Sequence, residues 1–317
     1  MAALVPAQAR IVFMGSPEFA VPSLKALATE GYGLPLVVSQ PDRPAGRGGR
    51  MHEPAVKVAA RELGLETYQP ETMRDESVHA RLREARADLF VVAAYGRILP
   101  QVVLDIPRRG CLNVHASLLP RWRGASPIAA AIRAGDSVTG VSIMELVRKM
   151  DAGPVISRAE EPILAADTTG SLEPRLAELG ARELVRVLPG WLAGERHAVP
   201  QDESLVTTCG VLSRHDGWLA RSISATDAER LVRAYNPWPG VSVGYREERL
   251  AIWRAHVGPG DAAEPGTTAI IGKHPAIALA DGWLFLDEVQ RPGGKRLSGQ
   301  QFIAGERGQL APQVGLE

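Results

Sequence analysis

The sequence predicts an α/β chain: a Rossmann-like parallel sheet over residues 10–194, then a small β-barrel over 211–317, for which an OB-like barrel is one option. Three observations lead there. Short apolar runs alternate with amphipathic helical stretches through the first part of the chain, the rhythm of a parallel sheet covered by helices. The rhythm then changes to short strands at close spacing, as in small barrels. Finally, 317 residues, 45% apolar and 23% charged, are enough to bury two cores.

The elements follow in order. Residues 1–9 read as a loose leader. "RIVFMGSPEFAVPSLKAL" reads as a strand from Ile11 to Met14, a turn at Gly15, and a helix with Ser16 as N-cap and Pro17 in the first turn. "LPLVVSQPDRP" is a strand running into a loop, and "VKVAARELGLETYQP" a helix with an extended tail. A further helix leads to a strand from Asp88 to Ala94, and "GCLNVHASLLP" is another strand entering a loop. "VTGVSIMELV" and "GPVISRAEEPI" follow with no helix between them, which predicts a hairpin at the sheet edge. A long helix covers roughly 172–192. The polar, proline-broken stretch 195–210 reads as a linker. Beyond it lies a helix with a capping box from Thr226 to Glu229, stopped by Pro237. Five short strands complete the chain; their pattern permits the oligonucleotide-binding barrel without selecting it.

Composition excludes several classes. Formal net charge is zero and the pI is near 7.1, unlike a strongly basic nucleic-acid binder, although a local basic patch is still allowed. The two cysteines, Cys111 and Cys209, show neither metal-ligand spacing nor a disulfide framework, which suits a reducing cytoplasm and no metal site. No secretory pattern and no apolar run of about 18 residues is present, so no membrane association is expected.

Candidate chemistry sits at strand ends, where open α/β sheets bind ligands. A dinucleotide fingerprint wants three glycines; its positions hold Gly15, Pro17 and Ala20. Pro17 removes an N–H that a pyrophosphate would use, so a nicotinamide enzyme is disfavoured and a plain strand–helix turn preferred. Asn113 and His115 are two apart in a strand, hence on one face and about 7 Å apart. Together they offer amide donors and an imidazole to a carbonyl that develops an oxyanion. The alternative is a buried histidine satisfied by the backbone. Asp151, in "RKMDAGPVI", could fix that imidazole's tautomer, or simply form an Asx-turn. No nucleophile is placed with them, which predicts direct transfer to an external nucleophile. The glycine-rich loop from Arg43 to Lys57 carries four basic residues and one acidic one. It fits either a phosphate backbone or plain solvation. Tyr95 and Gly96 end a strand, and Ile98 and Leu99 could wall a slot for a flat ring; a hydrophobic strand-to-helix turn explains them equally.

Taken together, "GSPEFA", "SQPDRPAGRG", "AAYGRILP", "NVHASLLPRWRGASPI", "MDAGPVI", "RAYNPWPG" and "QRPGGKRLSGQQF" resemble the methionyl-tRNA formyltransferase family from about Arg10 to the end. The stretch from Asn113 to Ile128 is the most specific part. The Asn-x-His plus later Asp set is shared by the wider group using 10-formyltetrahydrofolate, and so marks the chemistry more than the acceptor. The resemblance implies that 10–194 is a formyltransferase domain and 211–317 a tRNA-binding barrel. It implies formyl transfer from 10-formyltetrahydrofolate to the α-amino group of methionyl initiator tRNA, with Asn113, His115 and Asp151 catalytic. The folate would lie along Tyr95, Gly96, Ile98, Leu99 and the Ser117, Leu118, Leu119, Pro120 stretch. Arg43, Arg47 and Arg50 would enter the acceptor arm, with Lys295 and Arg296 as a patch on the barrel. A cytoplasmic monomer is expected. The sequence departs from the family at Gly49 and Arg50, where paired lysines are usual, and at Val211, where a lysine is usual. An amino-sugar or water acceptor keeps the same chemistry and stays open, as does a non-catalytic RNA-binding protein with the same fold.

Overall fold

A computed structural model describes residues 8–45, 50–261 and 263–317. In chain order come β1 (Arg10–Gly15), α1 (Val21–Thr29), β2 (Gly33–Val38), β3 (Arg43–Ala45), β4 (Arg50–His52) and α2 (Ala55–Glu62). Then follow β5 (Thr67–Tyr68), α3 (Glu76–Glu84), β6 (Leu89–Ala93), α4 (Gln101–Leu104), β7 (Cys111–His115) and β8 (Arg123–Gly124). Next are α5 (Pro127–Ala134), β9 (Val138–Glu145), β10 (Val155–Pro162), α6 (Thr169–Ala193) and β11 (Thr208–Cys209). The chain ends with α7 (Ala225–Ala234), β12 (Val241–Tyr245), β13 (Glu248–Gly258), β14 (Thr268–Ile271), β15 (His274–Ala278), β16 (Trp283–Gln290), β17 (Arg296–Ser298) and α8 (Gly299–Gly305). One unit takes the described residues up to Pro127 with Val138–Pro162 and Glu173–Cys209; a second takes Ile128–Ser137, Ile163–Leu172 and Gly210–Glu317.

The first unit is built on a seven-stranded sheet of order β10-β9-β7-β6-β1-β2-β5. The five strands from β7 to β5 are parallel, while β9 and β10 run antiparallel at the edge as the expected hairpin. Ile11, Val12, Phe13 and Met14 are all fully buried. Such an unbroken apolar run needs cover on both faces, which is why it reads as a central parallel strand. At the edge, β10 alternates half-buried and exposed residues after its first two.

Facing is decided by α6. A Cβ on Gly180 would stand 2.6 Å from Val114 Cγ1, so the bare glycine lets the helix press onto β7 at that residue. Val114 therefore faces α6, and its neighbours Asn113 and His115 face the other way. That other face continues the core layer of Val12, Val38, Phe90 and Cys111, with the two polar residues rising at its carboxyl end.

Several local expectations need correction. Ser16 is not a cap: a 3₁₀ turn, Glu18–Ala20, intervenes before α1. Its hydroxyl instead accepts from the Gln40 N–H at 3.1 Å and donates to the Tyr95 carbonyl at 3.4 Å, tying strand ends that lie far apart in sequence. Of the leader, residues 1–7 lie outside the described residues. Ala9 is fully buried just before β1, and its carbonyl accepts from Gly33 N–H at 3.0 Å. Residues 195–209 fall in this first unit, where β11 pairs in parallel with β8, Thr208 beside Arg123.

The second unit holds an antiparallel sheet of order β12-β13-β16-β15-β14, with β17 added to β16. Its two edge regions meet the chain's last residues. Gly244 on β12 bridges Gly315, and Thr267 before β14 bridges Gln313. The terminal segment thus bridges both edge regions of the sheet, partly covering edges that a small barrel would close. α7 is capped by Ser224, which accepts from the Asp227 N–H at 3.0 Å, rather than by Thr226. No helix among the described residues is long and apolar enough to cross a membrane.

Candidate active site

His115 and Asp151 come together. The ring Nδ1 lies 3.7 Å from Asp151 Oδ1, with both side chains largely buried. The ring Nε2 sits 3.0 Å from the Trp122 carbonyl. A carbonyl only accepts, so Nε2 carries a proton here and Nδ1 faces the carboxylate. Asn113 is buried at 9% exposure, and its carboxamide has no hydrogen-bond partner among the described residues. Its amide atoms are not shut off from solvent, so they are open to a ligand or water.

The loop after β7 is stiff because it bonds to itself and to the edge hairpin. Ser117 Oγ donates to the Arg121 carbonyl at 2.6 Å. Leu119 N–H donates to Ser142 Oγ at 3.0 Å, and that hydroxyl donates to the Ser117 carbonyl at 2.7 Å. Arg158 Nε holds the Leu119 carbonyl at 2.6 Å. Gly124, at φ +122, leaves room that a Cβ could not: it would fall 1.9 Å from the Cys209 carbonyl oxygen. Its N–H donates to Asp151 Oδ2 at 2.8 Å. The carboxylate is thus aimed from one oxygen by a backbone donor while the other faces the imidazole.

Arg123, Gln201 and Glu203 form a group the sequence reading did not single out. Gln201 Nε2 donates to the carbonyls of Asp151 and Gly153 at 2.8 and 2.7 Å. Arg123 Nε donates to Gln201 Oε1 at 3.0 Å, and its terminal nitrogen pairs with Glu203 at 2.8 Å. Hydrogen bonds from Arg123 and Lys149 pull the Glu203 carboxyl down to about 2. A carboxyl lowered on folding supports the fold above its ordinary value of 4.5 and loses that support as pH falls toward about 2. Glu203→Gln should therefore flatten the acid limb of thermal stability in that window. An acid limb identical to wild type would refute this role.

Cys111 shares the face of Asn113 and His115, but its thiol is buried, donates to the Leu104 carbonyl at 3.6 Å, and is pushed up to about 12 by burial. It supplies no thiolate near neutral pH.

The residues expected along a flat ligand divide. Tyr95 is 1% exposed, donates its O–H to Met73 Sδ at 3.2 Å, and burial pushes its phenol up to about 12. Ser117 and Leu119 are buried, and Leu99 sits in the core layer. Leu118 and Pro120 are half-buried, Gly96 adopts φ +76, and Ile98 is the exposed apolar side chain at 75%. All follow the carboxyl ends of the adjacent strands β6 and β7.

Among the basic candidates, Arg43 is exposed on β3, which pairs with β4 as a short hairpin. Arg50 opens β4, and Arg47 lies outside the described residues. Lys295 and Arg296 are exposed on the second unit, and the Arg296 guanidinium stacks 4.0 Å over Trp253. No group of three His, Cys, Asp or Glu side chains among the described residues is arranged to hold a metal ion.

The Formyl transferase family model matches residues 9–188, and that of its C-terminal domain matches residues 212–307. A methionyl-tRNA formyltransferase of Methylobacillus flagellatus is 45% identical over 93% of this chain and 96% of its own. Another from Chloroflexus aggregans is 45% identical over 97% of this chain and 99% of its own. An N-formyltransferase from Helicobacter canadensis, solved with folinic acid and dTDP-3-aminofucose, superposes with TM-score 0.65 at 13% identity. That match covers 89% of this chain and 99% of that one. The structural likeness supports the fold. Identity of 45% across nearly the whole length goes further: the chain belongs to the methionyl-tRNA formyltransferase family.

Proposed function

We propose that the protein transfers a formyl group from 10-formyltetrahydrofolate to the α-amino group of methionyl initiator tRNA. The observation that carries the site assignment is the unpartnered Asn113 amide, two residues from an imidazole that faces the Asp151 carboxylate. The amine nitrogen attacks the formyl carbon and a C–N bond forms. The carbonyl oxygen becomes an oxyanion, stabilised by the Asn113 amide and the His115 ring. The C–N10 bond then breaks, and the proton lost by the amine reaches N10 with the help of His115. Asp151 stabilises the protonated ring through this step. The Trp122 carbonyl holds the Nε2 proton until the substrate competes for it. Folate lies along Gly96, Ile98, Leu118 and Pro120, with Tyr95, Leu99, Ser117 and Leu119 forming the packed support beneath.

Arg43, Arg47 and Arg50 take the acceptor arm. A weak first base pair is cheap to open there, which selects the initiator by deformation energy. Lys295 and Arg296 contact the tRNA from the barrel. We also propose a formyltransferase domain over 10–194, a connecting stretch over 195–210 and a tRNA-binding domain over 211–317. The protein acts as a cytoplasmic monomer without a metal. The test is formylation of charged initiator and elongator methionyl-tRNA across a salt series. The initiator should be strongly preferred, and affinity should fall with salt. Equal use of both tRNAs, or steady formylation of an amino sugar without tRNA, would overturn the acceptor assignment.

A further inference from the structure

The turn that carries Asp151 is largely exposed on its outer side, where the solvent-facing Lys149–Glu203 pair at 3.1 Å ties it. Lys149 and Met150 are exposed, and Asp151 itself sits at φ +49, a left-handed conformation uncommon outside glycine. Its carboxylate must nevertheless meet Gly124 N–H and His115 Nδ1 together. Within the turn, the Ala152 N–H donates to the Lys149 carbonyl at 3.2 Å, but the buried side chain bonded to the turn's carbonyls is Gln201. Gln201 is 8% exposed and spends both amide hydrogens on the carbonyls that flank Ala152, those of Asp151 and Gly153. Two carbonyls on one side and the Arg123 Nε donor on the other leave its amide only one orientation. Arg123 is itself 4% exposed and is anchored by Glu203. The backbone leading to Gln201 is fixed as well: Val199 and Val155 exchange two hydrogen bonds of 2.8 Å at the start of β10.

We propose that Gln201 is a positioning residue for formyl transfer, clamping the turn so that the Asp151 carboxylate stays aimed at His115. This rests on the catalytic reading given above. Gln201 touches no substrate; it acts by holding Asp151 to the geometry the protonated ring needs. A misplacement of about 1 Å at a reacting group can cost about a hundredfold in rate.

Gln201→Met keeps the volume and removes all three hydrogen bonds. Gln201→Glu keeps the acceptor toward Arg123 and removes both donors to the turn, so it supplies a second variant if the first folds poorly. Each should lower kcat by about 10- to 100-fold. KM for either substrate should stay within about twofold, because only transition-state alignment is lost. In an Asp151→Asn background the same changes should cost less than about threefold more, since the group they position is already disabled. A merely structural role would give losses that multiply, or a fall confined to thermal stability. Wild-type kcat in both Gln201 variants, a loss confined to KM, or full multiplicativity with Asp151→Asn would each overturn the proposal. If Asp151→Asn itself kept wild-type kcat, the catalytic reading would fall, and this proposal with it. If Asp151→Asn were slow while both Gln201 variants were normal, only the role of Gln201 would fall.

Discussion

His115→Ala should lower kcat by about 10²- to 10⁴-fold, the range expected for losing a positioned general acid–base group. The protein should still fold. The Trp122 carbonyl loses its imidazole donor, but Ser117 Oγ and Cys209 Sγ remain at 3.5 and 3.8 Å to share it. Folding cost should then stay near the net worth of one hydrogen bond, about 0.5–1.5 kcal/mol, plus lost packing. His115→Gln separates two roles of the ring. It retains an N–H donor of similar reach but can neither take a proton nor carry the charge that Asp151 balances. If oxyanion stabilisation were the whole contribution, His115→Gln would recover most of the rate. With proton movement to N10 included, it should remain at least about tenfold slow. Single-turnover formylation beside thermal unfolding distinguishes these cases, and a folded His115→Ala protein near wild-type rate would remove His115 from the mechanism.

The fold was legible where one strong signal decides it. The short apolar run from Ile11 to Met14, ended by Gly15 and followed by a helical stretch, reads as a strand covered on both faces, and all four residues are buried. The alternation in β7 likewise places Asn113 and His115 on one face with Val114 on the other. What was hidden depends on partners remote in sequence. Ser16 and Thr226 both look like caps, yet Ser16 is drawn to Gln40 and Tyr95, and Ser224, slightly upstream, takes the N–H that a cap must satisfy. Local preference cannot rank such competitors. Gln201 was hidden more deeply. A polar, proline-broken stretch is what a surface connection looks like, and nothing local shows that its amide reaches two carbonyls some fifty residues earlier. The Trp122 carbonyl was hidden for a simpler reason: a backbone acceptor has no residue signature. Charge patterning behaved similarly. The basic run from Arg43 suggested an irregular loop, whereas its flanks pair as β3 and β4.

Asn113→Ala should lower kcat by about 10²- to 10³-fold, the usual effect of deleting one oxyanion donor. It should leave thermal stability almost unchanged, because the carboxamide has no hydrogen-bond partner among the described residues. That combination separates a functional amide from a structural one. A structural amide spends its hydrogens on the protein, and its removal orphans a buried partner at about 1–3 kcal/mol. Here nothing is orphaned, because the amide is bonded to no protein group among the described residues and is not shut off from solvent. Asn113→Asp sharpens the test. It is nearly isosteric but sets a carboxylate where negative charge must develop, on the same strand face as the His115–Asp151 pair. Its rate should therefore fall below that of Asn113→Ala, with the deficit shrinking as acid neutralises the new carboxyl. A loss of stability without a loss of rate in Asn113→Ala would assign the amide to the core. The oxyanion would then need another donor, and the strand-end geometry of β7 would no longer explain the reaction.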